Sequence, residues 1–159
     1  MELTFNVITL EWQKLDAKIQ HSQSKLKPEL KLNEFDISIP NNSAGLYQIY
    51  GASSIYGLDS LLYIGKSKNL KERLTQHLFK DSMISRQQNL SIRYAIVNTD
   101  KYLEIDTILE ITESINIVVH KPCLNSQSIV TPYKDSLYLI QNHGERGVLN
   151  LQVTNSYWM

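Results

Sequence analysis

The amino-acid sequence predicts an α/β (α+β) domain built on a small three-stranded antiparallel sheet flanked by helices. From residue 45 to 120, short segments rich in aromatic and β-branched residues alternate with longer segments whose apolar residues recur at helical spacing. In chain order these segments give β-β-α-β-α. A turn-forming cluster, Pro-Asn-Asn-Ser at 40–43, precedes them. We therefore predict a core at 44–126, an N-terminal extension at 1–43 and a C-terminal extension at 127–159.

Three segments of the predicted core have the composition of strands. Residues 45–50 (Gly-Leu-Tyr-Gln-Ile-Tyr) and 61–65 (Leu-Leu-Tyr-Ile-Gly) enclose a small, polar segment, 51–60, with two glycines. Such a segment indicates a hairpin loop, and strands joined by a short link pair most simply in opposite directions. Residues 91–97 are predicted as the third strand.

Two helices are predicted from apolar periodicity. In residues 67–78 leucines recur at every fourth position, and Ser67 or Asn69 can cap the N-terminus. In residues 99–119 isoleucines and valines share one face. Pro122 follows shortly afterwards, and proline cannot continue a helix.

The two extensions have different patterns. Four apolar residues of the N-terminal extension stand at helical spacing: Leu10, Trp12, Leu15 and Ile19. This extension is therefore predicted to be helical. The C-terminal extension contains two strand-like runs, 136–140 and 147–153, with a glycine-bounded turn between them at 143–147. A β-hairpin is the simplest structure for it.

Composition limits the classes of function. The chain has 159 residues, a formal net charge of zero and one cysteine, Cys123. One cysteine excludes an intramolecular disulfide and a cysteine-rich zinc module. No apolar run approaches the roughly 18 residues that span a bilayer, and the first residues do not resemble a signal peptide. We expect a cytoplasmic protein without membrane association, in which any contact with phosphate comes from a local basic patch.

Positive charge is concentrated at the start of the first predicted helix. Five basic residues lie within 15 positions: Lys66, Lys68, Lys71, Arg73 and Lys80. The free N–H groups of a helix N-terminus also favour anions. Arg73 and His77, one turn apart, lie at the flank of the leucine face. The patch indicates phosphate contact, and the alternative is a solvated charged face.

The second predicted helix has an acidic stripe. Asp106, Glu110 and Glu113 are spaced at i, i+4 and i+7, roughly opposite the apolar face, and this position favours exposure to solvent. After Ile111, however, the helix is apolar nearly all round. Glu113 is thereby an acid in hydrophobic surroundings, where a carboxylate needs a counter-charge or a metal ion.

Five short elements between residues 45 and 125 come in the order found in a known nuclease family. They are Gly45-Leu46-Tyr47, Tyr63-Ile64-Gly65, an arginine on the following helix (Arg73), a later glutamate (Glu113), and Pro122-x-x-Asn125. With them the chain resembles the GIY-YIG nuclease superfamily over about half its length. Leu46 replaces the isoleucine of the first motif, and the loop at 51–60 is longer than in compact members.

The resemblance implies a divalent-metal-dependent endonuclease that hydrolyses DNA phosphodiester bonds. Glu113 would hold a single Mg²⁺ ion, with Mn²⁺ as the alternative, and Arg73 would neutralise charge in the transition state. Tyr47 is the candidate general base for the attacking water. Tyr63 and His77 would hydrogen-bond the phosphate or the water, and either can share the role of base.

The resemblance and the basic patch assign further residues to DNA contact and to support. Lys66 is a candidate for lowering the pKa of Tyr47. The residues expected to bind nucleic acid are Lys66, Lys68, Lys71 and Arg73. Those expected to support the site are Gly45, Gly65 and Asn125, of which Asn125 ties the chain after the second helix to the sheet.

Several alternatives stay open at the level of sequence. Tyr47 and Tyr63 can be core aromatics, Glu113 can form an ion pair with Arg73, and Glu110 can replace Glu113 as the metal ligand. A restriction- or phage-type endonuclease that cuts duplex DNA as a homo-oligomer is the first interpretation. The others are a repair- or homing-type nuclease, a catalytically inactive DNA-binding or assembly module of the same fold, and a plain structural α/β domain.

Overall fold

The computed structural model describes residues 4–15, 39–80, 90–98, 104–126 and 136–156. Its elements are, in chain order, β1 (Thr4–Leu15), β2 (Gly45–Ser53), β3 (Gly57–Ser67), α1 (Leu70–Lys80), β4 (Ser91–Ile96), α2 (Ile105–His120), β5 (Ser136–Gly144) and β6 (Gln152–Thr154). The strands form one sheet in the order β3-β2-β4-β1-β5-β6. Within these ranges no helix is long and apolar enough to cross a membrane.

The sheet contains the three predicted core strands, but it is twice as large as predicted. Strand β2 pairs antiparallel with β3 on one side and with β4 on the other. Strand β4 pairs antiparallel with residues 13–15 of β1, whereas residues 4–12 of β1 pair in parallel with β5. The long strand β1 thus joins the predicted core to the β5–β6 pair. The prediction of a three-stranded sheet is therefore wrong in strand number, and the domain limits stay a prediction.

The first described segment is a strand, so the predicted helix is wrong there. Ile8, Leu10 and Trp12 are buried, and the residues between them are exposed. This alternation has the period of two that places successive side chains on opposite faces of a sheet. The helical interpretation also used Ile19, which lies outside the described residues.

Other predicted elements differ mainly at their ends. Helix α2 begins at Ile105, and the earlier start predicted near residue 99 lies outside the described residues. It ends at His120, and the next residue, Lys121, is a non-glycine residue in the left-handed conformation (φ 48°), whose N–H donates to the carbonyl oxygen of Ile117. Strands β5 and β6 pair antiparallel, as expected for the predicted hairpin, and β5 also pairs with β1, so the pair is part of the main sheet. Only Gln152–Thr154 of the predicted second run is strand.

The start of α1 is fixed to the start of β2. Of the two predicted capping residues, Asn69 caps the helix, since its side chain accepts from the N–H of Glu72 (3.4 Å). Ser67 Oγ accepts from the N–H of Asn69 (3.0 Å), in the turn before α1. The N–H of Leu70 donates to the carbonyl oxygen of Ser43, just before β2 (2.9 Å). The first turn of α1 therefore lies beside the point where β2 begins and β3 ends.

The sheet has a helix on each face of the β2–β3 pair. One hydrophobic cluster joins this pair to α2 and includes Leu46, Ile64, Ile108, Ile111 and Ile115. A second joins it to α1 and includes Tyr47, Ile49, Leu70 and Leu74. Because side chains alternate along a strand, neighbouring residues of β2 and β3 face different helices. This alternation positions the site described next.

Candidate active site

Two tyrosines and a histidine form a cluster between the sheet and α1. The Tyr47 hydroxyl lies 2.7 Å from His77 Nε2. The rings of Tyr47 and Tyr63 are stacked with centroids 6.0 Å apart, and the His77 ring is tilted against both, at 5.5 and 5.2 Å. Tyr47 is fully buried and His77 nearly so, while Tyr63 is partly exposed. The cluster thus reaches from the core to the surface through Tyr63.

Gly65 provides the space that the two tyrosine rings occupy. It lies directly opposite Tyr47 in the β2–β3 register. A Cβ atom at this position would overlap the Cζ and Oη atoms of Tyr47 and would lie 2.7 Å from Cε1 of Tyr63. Gly45 has a similar role, since a Cβ there would overlap the carbonyl oxygen of Ala95 on β4. Glycine at 65 therefore lets both phenols lie across the strand.

Arg73 adds a positive charge to the tyrosine cluster. Burial raises the pKa of Tyr47 far above its usual range, and the Tyr63 phenol raises it further. The Arg73 guanidinium lowers the pKa of Tyr47 by hydrogen bonding and by its positive charge, whereas the Glu113 carboxylate raises this pKa. Burial alone would lower the pKa of Arg73, but the hydrogen bonds and charges of Tyr47 and Tyr63 raise it overall. The Tyr47 phenol is therefore neutral in this arrangement.

Glu113 is buried and forms an ion pair. Its Oε2 atom lies 3.0 Å from Lys66 Nζ, and the exposed fractions of the two side chains are 11% and 35%. Asp106 and Glu110 are exposed, so the expectation of solvent exposure holds for them and is wrong for Glu113. The reason is that α2 is buried continuously from Ile111 to Ile117.

The ion-pair partner of Glu113 is Lys66. The sequence had left open an ion pair with Arg73 instead. Lys66 comes two residues after Ile64 on β3, so both side chains leave the same face of the sheet, towards α2. Arg73 lies on α1, which packs on the opposite face. The sequence contained this signal in the spacing of Ile64 and Lys66, although the prediction had placed Lys66 beside Tyr47.

The remaining predicted DNA-contacting lysines have partners of their own. Lys68 Nζ lies 2.7 Å from Asp106 Oδ2, and both side chains are well exposed. Lys71 Nζ donates to Asn41 Oδ1 at 3.1 Å. The basic patch is thus divided: Arg73 faces the tyrosines, Lys66 faces Glu113, and Lys68 and Lys71 lie at the solvent-exposed start of α1.

Asn125 joins the segment after α2 to the outer edge of β3. Its Nδ2 donates to the carbonyl oxygen of Ile64 (2.8 Å), and its Oδ1 accepts from the N–H of the same residue (2.9 Å). The N–H of Leu124 donates to the carbonyl oxygen of Leu62 (2.8 Å). These bonds hold the strand on both sides of Tyr63, the partly exposed tyrosine of the cluster.

In the part of the chain that the structure describes, the site has too few carboxylates for a pair of divalent ions. Among the described residues, no group of three or more His, Cys, Asp or Glu side chains converges. Two-metal nuclease sites need several carboxylates to hold ions about 4 Å apart. Mg²⁺, in contrast, commonly binds through one or two carboxylates and completes its shell with water and substrate phosphate. Glu113 provides a carboxylate of this kind.

A comparison with protein-family profiles matches residues 43–114 to one family, described as the GIY-YIG catalytic domain. The matched segment runs from just before β2 into α2 and contains Tyr47, Tyr63, Arg73, His77 and Glu113. Comparisons with curated proteins and with solved structures give no significant match.

Proposed function

Residues 43–114 belong to the GIY-YIG nuclease superfamily, and from this premise we propose that the chain is a divalent-metal-dependent endonuclease acting on DNA phosphodiester bonds. One observation supports the proposal most strongly. The rings of Tyr47, Tyr63 and His77 contact one another, and the charges of Arg73 and Glu113 both affect the pKa of Tyr47. A phosphate bound beside this cluster would have phenol and guanidinium groups around it.

Glu113 would hold one Mg²⁺ ion, or Mn²⁺ in its place, with water molecules and phosphate oxygens completing the coordination. When bound, the ion supplies positive charge that stabilises the departing 3′ oxygen. The side chain of Glu113 is fixed for this role because α2 packs against β3 around it.

Tyr47 and His77 together can accept the proton of the attacking water. A neutral phenol with a raised pKa is a poor base, because it must first lose its own proton. In the tautomer that carries its proton on Nδ1, His77 can accept the phenol proton at Nε2, which lies 2.7 Å from the Tyr47 hydroxyl. As the Tyr47 oxygen takes the proton from water, the phenol proton passes to the imidazole. The proposed base is therefore the pair and not either residue alone.

Arg73 and Tyr63 act on the phosphate itself. The Arg73 side chain is exposed, so its guanidinium can reach a bound phosphate from α1. Preorganised positive charge of this kind commonly stabilises a transition state by a few kcal/mol. Tyr63 is the partly exposed tyrosine of the cluster and would hydrogen-bond a phosphate oxygen. The zero net charge of the chain limits binding to a few phosphate contacts, which makes DNA affinity strongly salt-dependent.

The proposal predicts that the purified protein nicks or linearises supercoiled plasmid in Mg²⁺ and not in EDTA. Glu113→Ala and Arg73→Ala should lose this activity while keeping the far-UV circular dichroism of the wild type. Identical behaviour of the wild type and both variants would refute the nuclease assignment. DNA binding without cleavage would instead indicate an inactive DNA-binding module.

Because one site cuts one strand, we also propose a homo-oligomer for double-strand cleavage.

A further inference from the structure

The Lys66–Glu113 ion pair places an ammonium group on the carboxylate that the proposed function assigns to the metal. The pair is short, 3.0 Å, and Glu113 is largely enclosed. We propose that Lys66 excludes free metal ions from Glu113, so that the site binds a divalent ion and a phosphate diester together. This inference rests on the proposed function, because it takes Glu113 as the metal ligand.

The charges around Glu113 support joint binding. Glu113 carries one negative charge, and Lys66, 3.0 Å from it, carries one positive charge. A divalent ion entering alone adds two positive charges to a pair whose own charges already cancel. Repulsion between cations is stronger in such a partly buried site than in water. A phosphate diester offsets part of this charge and brings oxygen atoms that can accept a hydrogen bond from the Lys66 ammonium.

The two side chains differ in their freedom to move. Glu113 sits on a helix turn that is buried, and an enclosed carboxylate without a partner is strongly destabilising. Lys66 is 35% exposed and has a flexible stem, so its ammonium can leave Glu113 when another cation replaces it. Lys66 thus serves as the counter-charge of Glu113 in the free protein and becomes available to the phosphate in the complex.

Joint binding has a reciprocal consequence. If phosphate raises the affinity of the site for the metal, the metal must raise the affinity for phosphate by the same factor.

The Lys68–Asp106 pair provides a comparison within the same chain. It has the same chemistry at 2.7 Å, but both of its side chains are exposed, and Asp106 lies about two helical turns from Glu113. Removing the Lys68 charge should therefore leave metal binding at Glu113 unchanged.

The test measures Mn²⁺ affinity by electron paramagnetic resonance, without DNA. Lys66→Gln, which keeps a hydrogen-bond donor but removes the charge, should bind Mn²⁺ about ten-fold or more tightly than the wild type, in the usual range of coupling between sites. Lys68→Gln should match the wild type. Adding diethyl phosphate, a diester that is stable during the measurement, should raise the Mn²⁺ affinity of the wild type more than that of Lys66→Gln.

Two further variants separate failure of this inference from failure of the proposed function. If Lys66→Gln binds Mn²⁺ no more tightly than the wild type, while Glu113→Gln abolishes binding, exclusion by Lys66 is refuted and the metal site stands. If the double variant Lys66→Gln/Glu113→Gln binds Mn²⁺ as tightly as Lys66→Gln, Glu113 is not the ligand and both proposals fail. Circular dichroism verifies folding, and Lys66→Met serves as a second neutral replacement.

Discussion

Alanine at position 65 should abolish cleavage and lower the free energy of unfolding by about 2 kcal/mol or more, as overpacked cores do. The added methyl group would overlap the Tyr47 ring, which is fully buried. Its other near neighbour is Tyr63, at 2.7 Å. Relief of the overlap therefore displaces the proposed base and the phosphate-binding phenol together. Urea unfolding and the rate of plasmid cleavage measure the two effects.

Gly57→Ala is the matched control for this substitution. Gly57 begins the same strand, its φ is +86°, and no atom lies within 4 Å of a Cβ placed there. Alanine at 57 should cost stability through its backbone conformation and leave cleavage intact. Full activity of Gly65→Ala, with Tyr47 still bonded to His77, would contradict the site geometry proposed for the tyrosines.

Replacing Arg73 with glutamine should slow cleavage by about 10²–10³-fold, the usual loss when one preorganised electrostatic group is removed. Folding should be little affected because the side chain is exposed. Arg73 also lowers the pKa of Tyr47, so its removal raises that pKa. Since the Tyr47 phenol is neutral with or without Arg73, the loss should be similar between pH 6 and 10. Single-turnover rates across this range of pH measure it.

Lys71→Gln removes the same charge from the same helix and is the control for Arg73. Its ammonium donates to Asn41 Oδ1 at 3.1 Å. We expect a modest loss of DNA affinity, largest at low salt. Equal losses of single-turnover rate in Arg73→Gln and Lys71→Gln would show that Arg73 acts only as a general phosphate contact.

The order of elements in the core could be predicted because each local pattern has one simple physical solution. The runs at 45–50 and 61–65 are aromatic and β-branched, and the glycines between them permit a tight return. Leucine at every fourth residue gives α1 one apolar face, and Asn69 caps it. In these segments propensity, periodicity and capping favour the same structure, which is also what the fold contains.

Strand β1 was not predicted because the spacing of its apolar residues fits both the period of a strand and the period of a helix. Leu10 and Trp12 stand two apart, as in a strand, but the inclusion of Leu15 and Ile19 favours a helix. Pairing with another strand decides whether this segment is a strand or a helix. Residues 4–12 of β1 pair with β5, more than a hundred residues later in the chain. Pairing between such distant segments leaves no local signal in the sequence. The number of strands in the sheet therefore could not be derived from local patterns.

Glu113 shows where a helical wheel is insufficient. The wheel places it with Asp106 and Glu110 on one stripe, but the environment of α2 changes along its length. Its first turn is partly exposed, and its middle is buried against the sheet. Burial thus depends on where the helix crosses β3, a property of the tertiary fold. The motif spacing to Pro122 and Asn125 singled out Glu113, which is buried, but its partner Lys66 emerged only from the sheet.

The most direct test of the account compares Glu113→Gln with Glu110→Gln in single-turnover cleavage of duplex DNA with Mg²⁺. Both substitutions remove one carboxylate charge from α2, but only Glu113 is enclosed beside Lys66, whereas Glu110 is exposed. We predict that Glu113→Gln lowers the rate by about 10³-fold or more, as expected for several kcal/mol of lost transition-state stabilisation. Glu110→Gln should retain the wild-type rate. A folded Glu113→Gln protein that cleaves DNA at the wild-type rate would contradict the single-metal mechanism centred on this residue.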